Sequence, residues 1–153
     1  MVLHDAVTIR TTPERIFEFF REMERNYSAW HPEHVRFRWV AGRGLREGVV
    51  FSFEEHIAGK LLRKRVRFTR VEPGRHLEFA PTNPVFRLFL PRLLFHVEPE
   101  GDGCRLTAEI HVRMGPLAAW LHRRELAAVR RHMREEGENM KRLLEAAPAV
   151  LSS

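Results

Sequence analysis

Several features are scarce in this 153-residue sequence. Cys104 is the single cysteine, so no disulfide can form within the chain. No stretch approaches the roughly 20 apolar residues that a membrane-spanning helix requires. The N-terminal residues lack the apolar segment of a signal peptide, and there is no internal repeat or low-complexity tract. We therefore expect one soluble, cytoplasmic domain over residues 1–153, long enough to bury a core.

Acidic residues are outnumbered by basic ones, and the formal net charge is +6. Such a charge can indicate binding to nucleic acid or to an anionic surface. Here many arginines alternate with apolar residues, as Arg63, Arg65 and Arg67 do with Val66 and Phe68, which is typical of a solvated strand face. No helix-turn-helix or paired-cysteine finger is visible. We therefore predict no nucleic-acid partner.

Alternation and turn residues divide the chain into strands and helices. Thr12 and Pro13 predict the start of a helix, and an irregular link is expected over 26–32. A second helical region is expected over 116–144. Predicted strands cover residues 5–10, 35–40, 49–57, 61–73, 76–81, 85–98 and 103–114. This order favours an α+β fold in which a curved antiparallel sheet wraps around the long C-terminal helix and leaves an internal cavity for a small molecule.

Two residues of the last helix are candidate metal ligands. His132 and Glu136 lie four apart, so their Cβ atoms are about 5–6 Å apart on one side of the helix. Glu136 falls on an apolar stripe with Met133 and Met140, where an ionised carboxylate is costly unless its charge is compensated. A bound cation would compensate it. The alternative is a solvated helix flank on which Glu136 pairs with an arginine such as Arg131.

Glu55 is a second acid that the pattern places toward the core. Phe51 and Phe53 share its face of the strand by the period of two. The alternative is a register slip that turns Glu55 outward and brings Glu54 or His56 inward.

His31 and His34 are the remaining candidate ligands. Pro32 restricts the backbone of His31, so this segment is stiff enough to present a ligand. Strand parity would place His34 outside the sheet with Arg36, and Val35 inside, but parity is unreliable at the start of a strand. We favour His34 slightly over His31, and either one could be an ordinary surface histidine.

Two imidazoles and two carboxylates balance the charge of a divalent ion. Nitrogen and oxygen ligands suit zinc and also accept manganese, iron or nickel. An ion with an open coordination position lowers the pKa of bound water and polarises a carbonyl. Apolar side chains are predicted to line the cavity beside this site: Phe37, Trp39, Phe51, Phe53, Phe68, Phe79, Met133 and Met140.

Two long segments and the order of the elements carry a family resemblance. The segments VTIRTTPERIFEFF and EEHIAGKLLRKRVRFTRVEPGRHLEF, together with the final helix, resemble the START-related helix-grip (SRPBCC-like) superfamily. That group includes pollen-allergen-type lipid carriers, polyketide cyclases and aromatases. The resemblance covers nearly the whole chain and implies a helix-grip fold with a ligand cavity.

Three shorter segments carry a narrower resemblance. YSAWHPEH, FEEH and HMREE look like the metal-binding parts of the diacetylphloroglucinol-hydrolase and phloretin-hydrolase branch, with matches at Trp30-His31-Pro32 and at His132 and Glu136. This resemblance implies a zinc ion held by two His and two Glu, and hydrolysis of a carbon–carbon bond next to an aromatic ring.

Other common catalytic arrangements are missing, since the sequence has no Ser-His-Asp order, Gly-rich phosphate loop or Cys-His pair. Our first hypothesis is a small-molecule-binding protein that acts as a metal-dependent hydrolase on a phenolic or polyketide-like ketone. The alternatives are a non-catalytic carrier or sensor of an apolar ligand, and a metal-free polyketide cyclase, aromatase or dehydratase. The sequence leaves open whether the protein is an enzyme and what its oligomeric state is.

Overall fold

The computed structural model describes residues 1–146, so the last residues of the predicted domain, including Pro148, lie outside the described part. Within it, strands and helices follow one another in this order: β1 (Val2–Ile9), α1 (Pro13–Arg21), α2 (Met23–Trp30), β2 (His34–Ala41), β3 (Val50–Ile57), β4 (Lys60–Glu72), β5 (His76–Pro81), α3 (Pro84–Phe89), β6 (Arg92–Glu100), β7 (Gly103–His111), α4 (Pro116–Leu121) and α5 (Arg123–Ala146).

The strands form one antiparallel sheet in the order β1-β7-β6-β5-β4-β3-β2. β1 pairs with β7, and helices α1 and α2 carry the chain across to the other edge, where β2 begins. Helix α5 packs on β1 and reaches β3 at the far side of the sheet. This arrangement confirms the predicted α+β helix-grip fold.

The predicted start of α1 is confirmed. The Thr12 hydroxyl accepts a hydrogen bond from the backbone N–H of Arg15 (3.3 Å), and Pro13 occupies the first turn, where its missing N–H costs nothing. Ile16, Phe17 and Phe20 lie on one face of this helix and are buried in the core, which fixes α1 against the sheet.

The predicted irregular link over 26–32 was wrong for most of its length, because helix α2 continues to Trp30. Met23, Tyr27 and Trp30 are spaced by about one helical turn and are all buried, so packing of one apolar face stabilises the helix. His31 then adopts an extended backbone, as expected for a residue before proline.

Two other predicted elements differ from the structure. The strand expected over 85–98 starts only at Arg92, because Asn83 caps the short helix α3 by accepting hydrogen bonds from the N–H groups of Val85 and Phe86 (2.9 and 3.3 Å). The helix expected over 116–144 is interrupted at His122, which separates α4 from α5. Both differences concern short helices that hydrophobic alternation does not reveal.

Gly103 begins β7 close to the backbone at the end of β1. A Cβ there would lie 2.3 Å from the carbonyl oxygen of Ile9 and 2.9 Å from the Cα of Arg10. We expect Gly103→Ala to lower the free energy of unfolding by about 2–3 kcal/mol, because two backbones must separate to relieve the overlap. Chemical denaturation measures this change. Gly115→Ala is the control, since a Cβ at Gly115 meets nothing within 4 Å; equal losses in the two variants would contradict the packing argument.

Candidate functional site

Four polar side chains from three elements converge between the sheet and the long helix. His34 begins β2, Glu55 lies opposite it on β3, and His132 and Glu136 lie on successive turns of α5. Their ring nitrogens and carboxylate oxygens lie within 4.8 Å of one another. His34, Glu55 and His132 are buried, and the side chain of Glu136 is 18% exposed.

The distances among these atoms fit a tetrahedral metal site. His34 Nε2 lies 2.9 Å from Glu136 Oε2, 3.1 Å from His132 Nε2 and 3.8 Å from Glu55 Oε2. His132 Nε2 lies 3.3 Å from Glu55 Oε2 and 3.4 Å from Glu136 Oε2. Zinc ligands about 2.0–2.1 Å from the ion stand about 3.3 Å apart at tetrahedral angles, and these five distances bracket that value.

Hydrogen bonds to the other ring nitrogens set the orientation of both histidines. His34 Nδ1 donates to the carbonyl of Tyr27 (2.9 Å), and His132 Nδ1 donates to Glu33 Oε1 (3.1 Å). Each Nε2 therefore faces the centre of the cluster, as in metal sites where a carbonyl or carboxylate holds the back of the ring. Two neutral imidazoles and two carboxylates are all acceptors there, so a proton or a cation between them is strongly stabilising.

The pKa values of Glu136, His132 and Glu55 show how these side chains stabilise a shared proton. Burial raises the pKa of Glu136, but hydrogen bonds from His132 and His34 outweigh it and bring the pKa to about 2. Burial lowers the pKa of His132, but hydrogen bonds to Glu136 and Glu55 raise it to about 11. The pKa of Glu55 is lowered, since the hydrogen bond from His132 and the charge of Lys64 overcome burial. Both acids are therefore ionised at neutral pH, and a proton on His132 competes with any metal ion for the same place.

A β-bulge explains why His34 points inward. The pairing of β2 with β3 shifts between His34 and Arg36, so Val35 is an extra residue. Val35 is consequently exposed, where simple alternation predicted it inside, and His34 is buried, where alternation predicted it outside.

His31 lies beside this cluster and not in it. Its Nδ1 accepts a hydrogen bond from the backbone N–H of Glu33 (2.9 Å), so its Nε2 carries the proton and donates to Glu135 Oε1 (3.0 Å). His31, Glu33 and His132 form a second group of potential ligands, but there His132 would have to use its Nδ1. Both ring nitrogens of His31 are thus engaged by neighbours.

The sequence reasoning missed Tyr27, the single tyrosine of the chain. Its ring stacks on the His34 ring at 3.9 Å, and its hydroxyl donates to Glu55 Oε2 (3.4 Å). Burial and the Glu55 carboxylate raise the pKa of Tyr27 far above its usual value, so it stays a neutral donor. The signal that could have identified it is its helical spacing from Met23 and Trp30.

Contacts of α5 with α2 and β1 fix the position of the cluster residues on α5. The indole of Trp30 donates to the carbonyl of Glu136 (2.9 Å), and the Asn139 amide donates to the carbonyl of Trp30 (3.0 Å). Gly137 lets α5 approach β1 closely, since a Cβ there would lie 3.3 Å from Val7 Cγ1. The turn of α5 that carries Glu136 is therefore fixed by α2 on one side and by the sheet on the other.

A cavity of about 140 Å³ opens beside the cluster. A single water needs only about 10–15 Å³, so the cavity has room for a small organic molecule. Glu55, His132 and Glu136 form part of its wall, and Glu109 and Lys64 are further polar lining residues. Most of the apolar residues predicted from the sequence line it: Phe37, Trp39, Phe51, Phe53, Phe68, Phe79 and Met133. Met140 was predicted wrongly; it is fully buried in the core cluster with Ile9 and Phe17.

Within residues 1–146, none of the helices combines the length and the apolar character needed to cross a bilayer.

Comparisons with known proteins agree with this architecture. Residues 2–145 match the family described as polyketide cyclase / dehydrase and lipid transport. A crystal structure of a protein from Thermus thermophilus is similar with a TM-score of 0.75 and 16% identity, covering 97% of this chain and 99% of that one. The Zhui aromatase/cyclase from Streptomyces sp. R1128 has a TM-score of 0.69 and 14% identity over 96% of this chain and 94% of its own. A START superfamily protein from Mycobacterium smegmatis has a TM-score of 0.68 and 15% identity over 95% and 97%. No curated protein matches the sequence at a significant level.

Proposed function

Because this chain belongs to the polyketide cyclase / dehydrase and lipid transport family, we propose that its cavity binds an apolar, ring-bearing small molecule beside a divalent metal ion held by His34, Glu55, His132 and Glu136. Zinc suits two imidazole nitrogens and two carboxylate oxygens, and the four ligands neutralise its charge. The observation that carries the proposal is the set of five distances from 2.9 to 3.8 Å among one ring nitrogen of each histidine and one carboxylate oxygen of each glutamate.

The walls of the cavity favour an aromatic ligand. Phe51 is one of the lining residues, and the rings of Phe37, Phe68 and Phe79 lie around it at centroid distances of 5.1, 4.9 and 5.7 Å. Edge-to-face and offset contacts of this kind extend readily to a bound ring. Because Glu55, His132 and Glu136 lie in the same wall, a polar substituent on that ring would be directed toward the ion.

For catalysis we propose hydrolysis of an acyl-phenol or polyketide-like ketone. A divalent ion bound here with a free coordination position would supply a Lewis acid for the ketone oxygen and a source of activated water. Water adds to the carbonyl carbon, the bond from that carbon to the ring breaks, and the ring carbon takes a proton, giving a carboxylic acid and the free phenol. Glu55 and Glu136 would hold the ion, the second proton of the attacking water would pass to the ring carbon, and Tyr27, a buried neutral phenol whose hydroxyl lies 3.4 Å from Glu55 Oε2, would keep that carboxylate in place through its hydrogen bond.

A carrier or sensor is the second candidate, and one observation favours it. Four protein ligands complete a tetrahedron, and closed four-coordinate zinc sites are usually structural. In that case the ion would stabilise the contact between α5 and the sheet, and the cavity would bind its ligand without chemistry.

The two candidates differ in turnover. We expect zinc-loaded protein to hydrolyse ring-bearing acyl-phenols and β-diketones faster than linear ketones, measured by chromatography of the acid and phenol products. Glu55→Gln should weaken metal binding about 100-fold or more and reduce the rate with it. Glu54→Gln is the matched control, since Glu54 pairs with Arg63 (3.1 Å) and is not among the cavity-lining residues.

Two outcomes would change the assignment. Binding of the whole panel without turnover would favour the carrier. A Glu55→Gln variant that keeps its metal but loses all activity would make Glu55 a general base instead of a ligand.

A further inference from the structure

Two short helices expose an unusual number of large apolar side chains. Each of these side chains is between 55 and 72% exposed: Val85, Phe86, Leu88 and Phe89 on α3, and Leu117, Trp120 and Leu121 on α4. Single exposed apolar residues are normal, but a contiguous group marks an interaction surface.

The end of α3 meets the segment that leads into α4. The N–H of Arg113, just before α4, donates to the carbonyl of Phe89 at the end of α3 (2.8 Å). Leu90, Met114 and Ala119 also pack on the same buried cluster beneath them. The exposed residues of both helices therefore form one surface, which we call the α3–α4 patch.

The chain segments that contain the two helices carry charge of one sign. Residues 79–97 and 110–124, which contain the two helices, include no Asp or Glu. Arg87, Arg113, Arg123 and Arg124 are all exposed in these stretches. The guanidinium of Arg123 lies 4.6 Å from the centre of the Trp120 ring, so apolar and cationic groups are in direct contact.

We propose that the α3–α4 patch docks on the surface of an anionic lipid bilayer. Phe and Leu side chains would enter the boundary of the acyl chains, and Trp120 suits the interface itself. The arginines would contact the phosphates of the headgroups. A second copy of this chain fits less well, because its patch would bring the same positive charges against these ones.

The patch adjoins one end of the ligand cavity. Leu90, Met114 and Ala119 pack on the cluster that includes Ile110 and Val129, and both of those residues line the cavity. Docking would bring this end of the cavity close to the acyl chains, so an apolar ligand could pass between membrane and protein. The docking itself goes beyond the proposed function and does not depend on the metal.

Vesicle co-sedimentation tests the proposal, with phosphatidylcholine vesicles prepared with and without phosphatidylglycerol. We expect the intact protein to bind the anionic vesicles and to bind them less at high salt. Phe86→Ser with Trp120→Ser should reduce binding at least about tenfold, and Arg87→Gln with Arg124→Gln about tenfold. Val40→Ser with Leu61→Ser is the matched control, since these residues are 39 and 46% exposed outside the patch; it should bind like the original chain.

Several results would overturn the proposal. No binding to anionic vesicles would do so, as would equal binding by the Phe86/Trp120 variant that circular dichroism shows to be folded. A dimer in light scattering that this variant converts to a monomer would show that a second copy covers the patch. Zinc content, measured on the same samples, separates failure here from failure of the metal site.

Discussion

Replacing His132 and Glu136 together by alanine is expected to reduce bound metal from about one ion per chain to less than about a tenth of that. The change removes one nitrogen and one oxygen ligand, and the two that remain, on β2 and β3, cannot hold zinc tightly by themselves. Alanine favours helix, so α5 should persist. Elemental analysis of protein purified without chelator measures the effect.

The control for this variant uses exposed residues of the same helix. Arg131→Ala with Glu138→Ala changes one basic and one acidic side chain on the solvent side of α5 and should leave the metal content unchanged. Negligible metal in the unaltered protein, or the same content in the His132/Glu136 variant, would show that these residues do not form a metal site.

Metal binding should also stabilise the fold. At a free zinc concentration about 100 times the dissociation constant, the gain is about 2.7 kcal/mol, which corresponds to a rise in Tm of about 5–10 °C for a chain of this size. The His132/Glu136 variant should show no such rise in a thermal melt.

The second large effect should distinguish His31, which precedes β2, from His34, which begins it. His34→Ala is expected to weaken zinc binding at least about 100-fold, because Nε2 of His34 is the ligand atom nearest to both Glu136 and His132. His31→Ala is expected to change the zinc affinity less than about threefold, since the two ring nitrogens of His31 are hydrogen-bonded to Glu33 and Glu135. Competition titration with a chromophoric chelator measures both affinities.

These two variants control for each other, since both remove a buried imidazole within the same short segment around Pro32. A larger loss in His31→Ala would assign the ion to His31, Glu33 and His132 instead. Equal losses would indicate that the whole segment has shifted and that neither residue can be named a ligand from the geometry.

Part of the candidate site could be predicted because it depends on local periodicity. His132 and Glu136 face one way because a helix repeats about every 3.6 residues, and Glu55 faces inward because side chains alternate in a strand. His34 faces inward because a bulge inserts Val35 into β2, and no pattern in the sequence predicts a bulge there. Tyr27 was missed because helix α2 is short and is stabilised by buried contacts of Trp30 and Met23 more than by its own propensity.

The sequence by itself determined the seven strands in their order along the chain, the α+β class and the start of α1, since capping, alternation and turn residues act between near neighbours. Tertiary structure alone decided which imidazole joins the carboxylates, where the cavity ends and which apolar residues stay in solvent. Met140 illustrates the physical reason: it lies on the predicted stripe of α5, but its depth in the core depends on residues far away in the chain, such as Ile9. The exposure of Trp120 likewise follows from which surfaces the sheet leaves uncovered, which no local pattern encodes.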